Sequence, residues 1–377
     1  TQGVAALADA VSPIDAPNVE RMRAAGAIPF ARTNLPDLGL RVHTDSSLRG
    51  LTRNPWNPDV TAGGSSGGEA SALASGMSPL GLGNDLGGSL RNPAHCCGIT
   101  SIKPSTGVVP HASFHPPEDP LIMFQLMAVE GPMARSVADL RVALLAMAGM
   151  HSRDPLSVPV VLQGAPTGAR CRVAVATDPP GGSTDPGIAA AVRRAADALA
   201  DAGHEVDDAV PPTYARSIEL WAELLMPDIR SVRPLFDSVM GPDARQFLDH
   251  AAEQYPPIDT SAWAALFAER HSVLRDWTAF FERWDVLLTP TWAQPAFAHG
   301  ADVASMDGAL TTLATMRPVL PVNLLGLPAA VVPAGLADGL PVGAHLTGGR
   351  FNDLLVLDVA QVVEDALGTI TPIDPRT

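Results

Sequence analysis

Apolar residues near the start of the sequence change from a helical to a strand-like spacing. Residues 15–26 predict a helix, with Pro17 near its first turn and Gly26 at its end. The short apolar run over residues 27–31 predicts a strand directly behind that helix. This part of the chain is therefore expected to form a helix-then-strand unit.

A second unit of the same kind follows. Residues 66–76 are rich in Ala and begin with small residues, which predicts a helix, and residues 80–82 predict a short strand. That strand leads into a glycine-rich turn at Gly87 and Gly88. The glycine-rich segments are thus expected at junctions between regular elements.

The remaining pattern predicts an α/β fold. A strand at 172–176, a helix at 186–202 and a strand at 205–207 are typical of a right-handed crossover. Residues 212–283 carry Trp, Leu, Phe and Arg at helical spacing, and residues 285–290 predict a buried strand. No internal repeat is evident, so a single domain is expected.

Length and charge restrict the partners of this chain. With 377 residues and 46% hydrophobic side chains, it can bury a large core. Its formal net charge of −15 repels phosphate backbones, and no run of Lys or Arg offers a local basic patch. Nucleic acid is therefore not expected as a direct partner. A homodimer is compatible with a protein of this size, and no residue pattern tests it.

Cysteine use and hydropathy bear on the compartment. Cys96 and Cys97 are adjacent and Cys171 is the third, so at least one thiol is free and a reducing, cytoplasmic setting is expected. The three lack metal-site spacing and are interpreted as buried small hydrophobic residues, so no metal and no cofactor are expected. Charged residues, Pro or Gly interrupt every long apolar stretch, including residues 318–336, so no membrane span is expected. A targeting segment before Thr1 is left open.

The glycine-rich segment at residues 61–110 admits several interpretations. A P-loop requires Gly-Lys-Ser/Thr, which the chain lacks. A dinucleotide fingerprint requires G-x-G-x-x-G, whereas the run from Gly81 to Gly87 is one residue too long. A flexible linker at residues 63–68 would not be followed at once by an Ala-rich helix and a second serine in a tight turn. Nucleophilic catalysis remains the favoured interpretation.

A serine between glycines suits that chemistry. Such a serine can place its hydroxyl on a sharp turn while neighbouring backbone N–H groups point at one spot, which forms an oxyanion hole. The run Leu86-Gly87-Gly88-Ser89 has this composition. Ser89 is therefore the candidate nucleophile.

Motifs around this serine match one enzyme family. GGSSGG at residues 63–68 precedes G-x-D-x-G-G-S-x-R, which contains Ser89, and K-P-x-x-G-x-V-P follows at residues 103–110. Together they resemble the amidase signature family. The resemblance continues through residues 18–37, 53–58 and 131–140, and residues 285–290 and 321–343 are similar to the last strands of the family. It implies one α/β domain over residues 1–377, with a mixed twisted sheet surrounded by helices.

The resemblance also implies roles for individual residues. The family cleaves amides with a Ser, cis-Ser, Lys triad, so Ser89 would attack the carbonyl and Ser65 would pass its proton to a neutral, buried lysine. The cis peptide bond would join Gly64 to Ser65. Implied backbone donors of the oxyanion hole are Leu86, Gly87, Gly88 and Ser89. Implied supporting side chains are Ser66, which would bond the lysine, and Asp85 and Arg91, which would brace the loop.

The lysine itself has no counterpart in these residues. Lys103 is the only lysine, and it matches the K-P motif of the family instead of its base. The family's catalytic lysine precedes a T-x-G loop that Thr1–Gly3 resembles, which would place it before Thr1. Three explanations are open for the segment that would carry this lysine. It lies outside these residues, it is supplied by another chain after a cleavage, or it is missing because the protein is truncated. We favour the first explanation. Arginine cannot replace the lysine because it does not deprotonate near neutral pH.

The leading hypothesis is an amidase, a carbon–nitrogen hydrolase that converts a linear carboxylic amide to acid and ammonia or amine through a serine acyl-enzyme. One alternative is a subunit of a tRNA-dependent amidotransferase, although residues 109–114 stand where that group has S-R-Y-G. Another is a catalytically inactive truncated scaffold. The small-molecule amide is the expected substrate, with no nucleic acid and no membrane as partner.

Two further points stay open from the residue pattern. A Ser-His-Asp arrangement could use His43 with Asp45, or His95, although a structural role is favoured for each histidine. An acyl pocket could be lined by residues 116–124 or by aromatic residues of the helical section, which are equally expected in the core. Those aromatic residues are Trp221, Trp263 and Phe267.

Overall fold

Helices and strands alternate along most of the chain. The computed structural model describes residues 1–112, 119–166 and 168–376. The helices are α1 (Pro17–Ala24), α2 (Gly67–Ala74), α3 (Arg91–Cys97), α4 (Ile122–Met127), α5 (Val137–Met147), α6 (Pro186–Asp201), α7 (Tyr214–Asp237), α8 (Pro242–Glu253), α9 (Thr260–Arg283), α10 (Met306–Thr315), α11 (Leu320–Leu325) and α12 (Asp353–Leu367). The strands are β1 (Asp45–Ser46), β2 (Gly50–Leu51), β3 (Leu80–Asp85), β4 (Thr100–Lys103), β5 (Val129–Ala134), β6 (Arg172–Val175), β7 (Glu205–Asp208), β8 (Val286–Pro290), β9 (Ala329–Ala337) and β10 (Leu340–Gly348).

Eight of these strands form one mixed sheet, in the order β3-β5-β4-β9-β10-β8-β6-β7. The pairs from β3 to β8 are antiparallel. Strand β6 pairs in parallel with both β7 and β8. Helices pack on both faces of the sheet, so the predicted α/β class with a mixed central sheet surrounded by helices is confirmed.

Amphipathic helices supply much of the core. Ile188, Val192, Ala195 and Leu199 share one face of α6 and are buried, which matches a helical repeat of 3.6 residues. Helices α5 and α12 contribute to the same cluster, whereas α7, α9 and α11 pack in a second cluster. A third, smaller cluster lies under α2 and α3. None of the helices in the described part of the chain combines the length and apolar character that crossing a membrane requires.

Most of the sequence-predicted elements are confirmed. Helices α1, α2 and α6 lie where the pattern placed them, as do strands β3, β6, β7 and β8. The section predicted to be mainly helical contains α7, α8 and α9. The strand-helix-strand succession predicted over residues 172–207 yields the parallel pair of β6 and β7.

Two predictions about strands were wrong. Residues 27–31 form no strand in the described structure, and Ile28 and Phe30 are 84% and 69% exposed. An apolar run becomes a strand only where a partner strand completes its hydrogen bonds, which the pattern alone does not reveal. Residues 321–325, which the resemblance placed among the last strands of the family, belong to α11 instead. Pro321 suits a first helical turn, and Gly326, with φ +67°, ends the helix.

The cysteine prediction is confirmed. Cys96, Cys97 and Cys171 are buried and free. Burial raises the pKa of the Cys96 and Cys97 thiols above their ordinary value, which keeps them protonated. They act as small apolar core residues.

Candidate active site

The turn that carries the candidate nucleophile Ser89, residues 86–90, joins β3 to α3 and is called the nucleophile turn below. Gly88 has φ +98°, a backbone conformation that favours glycine, and a methyl group there would lie 2.8 Å from Val319 Cγ2. A methyl group at Gly87 would lie 2.8 Å from Trp221 Cζ2. Glycine at both positions therefore allows bulky side chains to pack directly against the turn that carries Ser89.

A second loop, Gly63–Ser66, lies against this turn. The backbone N–H of Ser66 donates to the carbonyl oxygen of Ser89 at 3.2 Å. The peptide bond between Gly64 and Ser65 is cis, as the resemblance implied. Ser65 is only 2% exposed. The fold thus brings together the two serines that the sequence singled out.

Several backbone N–H groups of the nucleophile turn can serve a ligand. In the described part of the chain, no protein acceptor takes the N–H groups of Leu86, Gly87 and Ser89. The Gly88 N–H, which the resemblance also implied for the oxyanion hole, donates to Asp85 Oδ1 at 2.8 Å. The backbone N–H groups that remain available to a ligand are therefore those of Leu86, Gly87 and Ser89, on either side of Gly88.

Asp85 braces the turn from inside. Its carboxylate accepts from the N–H of Gly88 and, at 3.1 Å, from the N–H of Leu90. Arg91, which is fully buried, donates Nε to Oδ2 at 2.9 Å and Nη2 to Oδ1 at 2.8 Å. Burial alone would raise the pKa of Asp85, but the charge and hydrogen bonds of Arg91 outweigh it and lower that pKa to about 2. Asp85 is therefore a carboxylate at neutral pH.

Two residues from the C-terminal half complete this network, and sequence reasoning missed both. Asn323 on α11 donates Nδ2 to Asp85 Oδ1 at 2.9 Å and accepts from Arg91 Nη2. His345 on β10 bonds through Nε2 to Arg91 Nη1 at 3.1 Å. Asn323 belongs to a segment that resembled the family and could have been found there, whereas no local pattern distinguishes His345 from the other histidines.

The partners of His345 define its tautomer. Thr289 Oγ1 donates its proton to the Pro290 carbonyl at 3.0 Å, so it accepts from His345 Nδ1 at 3.1 Å. Nε2 is then unprotonated and accepts from Arg91. Burial first, and then the charge of Arg91, hold the pKa of His345 well below its ordinary value. The neutral imidazole thus anchors Arg91 to the centre of the sheet.

Lys103 makes its hydrogen bond outside this network. It is fully buried on β4, and its Nζ donates to the Pro104 carbonyl at 2.9 Å. Within the described residues it makes no hydrogen bond to Ser65 or Ser89. The expectation that Lys103 is a structural lysine agrees with this position.

The histidine alternative receives no support from the geometry. His43 Nδ1 bonds to Thr61 Oγ1 at 2.8 Å, and His95 Nδ1 accepts from the Gly343 N–H at 3.1 Å. Burial lowers the pKa of His43 to about 3 and that of His95 to about 4. Among the described residues, neither ring bonds to a candidate serine, so each is interpreted as a core histidine.

The three aromatic residues that the sequence suggested for an acyl pocket lie in two different parts of the structure. Trp221 on α7 is partly exposed and contacts Gly87 in the nucleophile turn. Trp263 on α9 instead donates Nε1 to the Leu224 carbonyl at 3.2 Å and lies 5.9 Å from the Phe267 ring. The other proposed lining, residues 116–124, lies partly outside the described residues, which resume at Asp119.

Comparison with known proteins decides the family. The sequence model of the family described as Amidase matches residues 1–357. The chain belongs to the amidase signature family. An indoleacetamide hydrolase of Bradyrhizobium diazoefficiens is 37% identical over 370 residues, which cover 98% of this chain and 71% of that protein. A glutamyl-tRNA(Gln) amidotransferase subunit of Symbiobacterium thermophilum is 32% identical over 93% of this chain and 76% of its own length.

Solved structures agree with the amidase assignment. A structure of 6-aminohexanoate cyclic dimer hydrolase superimposes with a TM-score of 0.83 and 30% identity, covering 97% of this chain and 81% of that chain. The predicted resemblance is therefore confirmed, and the fold is that of an amidase-signature enzyme. Membership places this amidase among the hydrolases that act on amides.

Proposed function

We propose that this protein hydrolyses a linear carboxylic amide through an acyl-enzyme on Ser89. The observation that carries the proposal is the nucleophile turn, where Ser89 adjoins the buried Ser65 loop while three nearby N–H groups have no described protein acceptor. Ser89 Oγ bonds to the carbonyl carbon, and its proton passes through Ser65 to a base. The N–H groups of Leu86, Gly87 and Ser89 stabilise the oxyanion. The C–N bond then breaks as the amine takes the proton, and water releases the acid by the same route.

The base in this proposal is a lysine that precedes Thr1 in the complete polypeptide. The placement of residues 1–3 supports it, because Leu38 N–H donates to the Gln2 carbonyl at 2.8 Å. The next residue, Gly39, lies so close to the relay serine that a methyl group on it would be 3.4 Å from Ser65 Oγ. These contacts place Gln2 beside the Leu38–Gly39 loop that adjoins Ser65, whereas Lys103 Nζ bonds to the Pro104 carbonyl.

The surroundings of the turn favour an apolar acyl group. Leu38, Leu86 and Trp221 are partly buried apolar side chains on the loops and the helix that adjoin the serines. The similarity to an indoleacetamide hydrolase supports the same substrate class. We therefore propose a linear monocarboxylic amide with an apolar, preferably aromatic, acyl group. The similarity to amidotransferase subunits is weaker support, since a net charge of −15 disfavours direct contact with tRNA.

The test uses the polypeptide expressed from its complete reading frame. A fluorophosphonate should label Ser89, and Ser89→Ala should lower kcat on phenylacetamide by roughly 10³-fold or more, because the nucleophile is lost. Ser75→Ala, at the end of α2, is the matched control and should keep both labelling and activity. Unchanged hydrolysis in Ser89→Ala would overturn the proposal.

Intact-mass analysis of the same preparation separates the scaffold alternative. A species heavier than these 377 residues that is labelled at Ser89 supports the lysine-containing segment. A species of only these residues that resists labelling supports an inactive scaffold instead.

A further inference from the structure

Trp221 makes two contacts with the nucleophile turn, and they lie on adjacent residues. Its indole Nε1 donates to the Leu86 carbonyl oxygen at 3.1 Å. Its ring covers Gly87 so closely that a methyl group there would be 2.8 Å from Cζ2. An indole ring has a single N–H donor, so the contact with the turn has a defined direction.

The Leu86 carbonyl and the Gly87 N–H belong to the same peptide unit. A peptide unit is planar, and its C=O and N–H point in opposite directions. Fixing the carbonyl oxygen therefore fixes the direction of the N–H on the other side of the plane. A hydrogen bond accepted by the carbonyl also polarises the amide and strengthens its N–H as a donor.

The two ends of this short segment are held by different parts of the protein. Asp85 accepts the Gly88 N–H at 2.8 Å, on the side of β3 and α3. Trp221 holds the Leu86 carbonyl from α7, outside that network. The Gly87 N–H lies between these anchors and has no protein acceptor in the described part of the chain.

Helix α7 holds Trp221 firmly in place. Leu220, Leu224 and Leu225 are buried, and α7 packs against α11. Arg216, one turn earlier, bonds to Glu223 on the same helix and to Glu269 on α9. The indole is therefore supported by a packed helix and can define the orientation of a peptide unit.

We propose that Trp221 is a positioning residue for the oxyanion hole, acting through the Leu86 carbonyl on the direction of the Gly87 N–H. This inference rests on the proposed function, since it assigns the Gly87 N–H to the oxyanion of the amide substrate. The indole does not touch the reacting atoms in this role. Its contribution appears only when negative charge develops on the carbonyl oxygen.

Trp221→Phe removes the indole N–H and keeps an aromatic ring. We expect kcat on phenylacetamide to fall about tenfold, because the Gly87 N–H is misdirected but still present. Removing an oxyanion donor outright lowers kcat by roughly 10²–10³-fold, so the expected decrease is smaller than that. KM should change less than about twofold, because ground-state binding does not use this bond. The matched control is Trp263→Phe, which removes an equivalent indole bond to the same helix, at Leu224, and should leave kcat unchanged.

A transition-state probe gives a second readout. Phenylacetaldehyde adds Ser89 Oγ–H across its C=O bond to form a hemiacetal whose oxygen occupies the oxyanion position, whereas 2-phenylethanol binds without forming that bond. Trp221→Phe should weaken inhibition by the aldehyde about tenfold and leave inhibition by the alcohol unchanged. Equal weakening of both inhibitors, or an unchanged kcat, overturns the positioning role.

Comparison of the Ser89 and Trp221 variants distinguishes this inference from the proposed function. Ser89→Ala is assayed beside the Trp221 variants, and its loss of activity with an unaffected Trp221→Phe refutes only the role of Trp221. Activity that survives Ser89→Ala refutes the proposed function itself. Thermal unfolding shows whether Trp221→Phe folds. If it does not, Trp221→His is used instead, because histidine retains a ring N–H donor. A wild-type preference for the aldehyde over the alcohol, measured as the ratio of their inhibition constants, supports the role, and a preference reduced about tenfold overturns it.

Discussion

Lys103 shows at the scale of one residue how burial changes an ionisable group. Burial is the main cause that lowers its pKa to about 7, with Arg91 acting in the same direction. Asp85 and Asp353 act in the opposite direction and do not compensate for the lost hydration. The lysine is thus partly neutral near physiological pH although it takes no part in the proposed chemistry.

This shift predicts how stability depends on pH. Between pH about 7 and 10.5 the unfolded chain carries a proton on Lys103 that the folded protein lacks, so the free energy of unfolding rises with pH across that window. Lys103→Met, which fills a similar volume without a charge, should lose this rise. The measurement is a series of urea-unfolding curves for both proteins from about pH 7 to about pH 10. Parallel pH profiles of the two proteins would contradict the prediction.

Helix α6 illustrates, at the scale of one element, how local sequence specifies structure. Asp185 precedes Pro186 and accepts from the N–H groups of Gly187 and Ile188 at 2.8 and 3.2 Å. Pro186 suits a first helical residue, because its ring fixes φ and it needs no N–H acceptor there. The start of α6 is therefore encoded by adjacent residues and could be predicted from the sequence.

Asp185→Ala should destabilise the protein by about 1 kcal/mol, because two N–H groups lose their cap. Asp197→Ala is the matched control, since Asp197 is exposed on the same helix, away from its first turn. The free energies of unfolding in urea give the difference. A cost shared equally by both variants would show that the cap is not its cause.

The two elements that were predicted wrongly have local signals that are absent or ambiguous. Residues 27–31 are apolar, but whether an apolar run pairs in a sheet depends on a partner far away in the chain. For α11, the decisive residues Pro321 and Gly326 are local, yet the apolar run between them suits a strand as well as a helix. The local sequence of a short apolar segment therefore did not decide whether the segment forms a strand, a helix or neither.

At the scale of the whole molecule, the candidate site is a junction between distant parts of the chain. Asp85 and Arg91 come from the N-terminal half, whereas Asn323 and His345 come from α11 and β10. His345 is also the register partner of Thr289 on β8. The shape of the nucleophile turn thus depends on the pairing of β10 within the central sheet.

This dependence can be tested at His345. His345→Leu leaves an N–H of the buried Arg91 without its acceptor, so we expect a loss of about 1–3 kcal/mol of stability and slower labelling of Ser89 by a fluorophosphonate. His345→Gln retains an acceptor of similar reach and should recover most of both. Urea unfolding and labelling rates provide the measurements. If the glutamine and leucine variants behave alike, the bond to Arg91 is not what the turn requires.

The sequence by itself determined the family, the α/β class and the positions of the candidate Ser89 turn and Ser65 loop, because these depend on residues close together in the chain. GGSSGG and the Gly-Gly-Ser turn encode local backbone shapes that few other residues adopt. Only the tertiary structure decided that Gly88 N–H is used by Asp85, that Asn323 and His345 hold Arg91, and that Trp221 lies on Gly87. Those contacts join residues whose geometry is defined by packing of the sheet and helices, which no local pattern records.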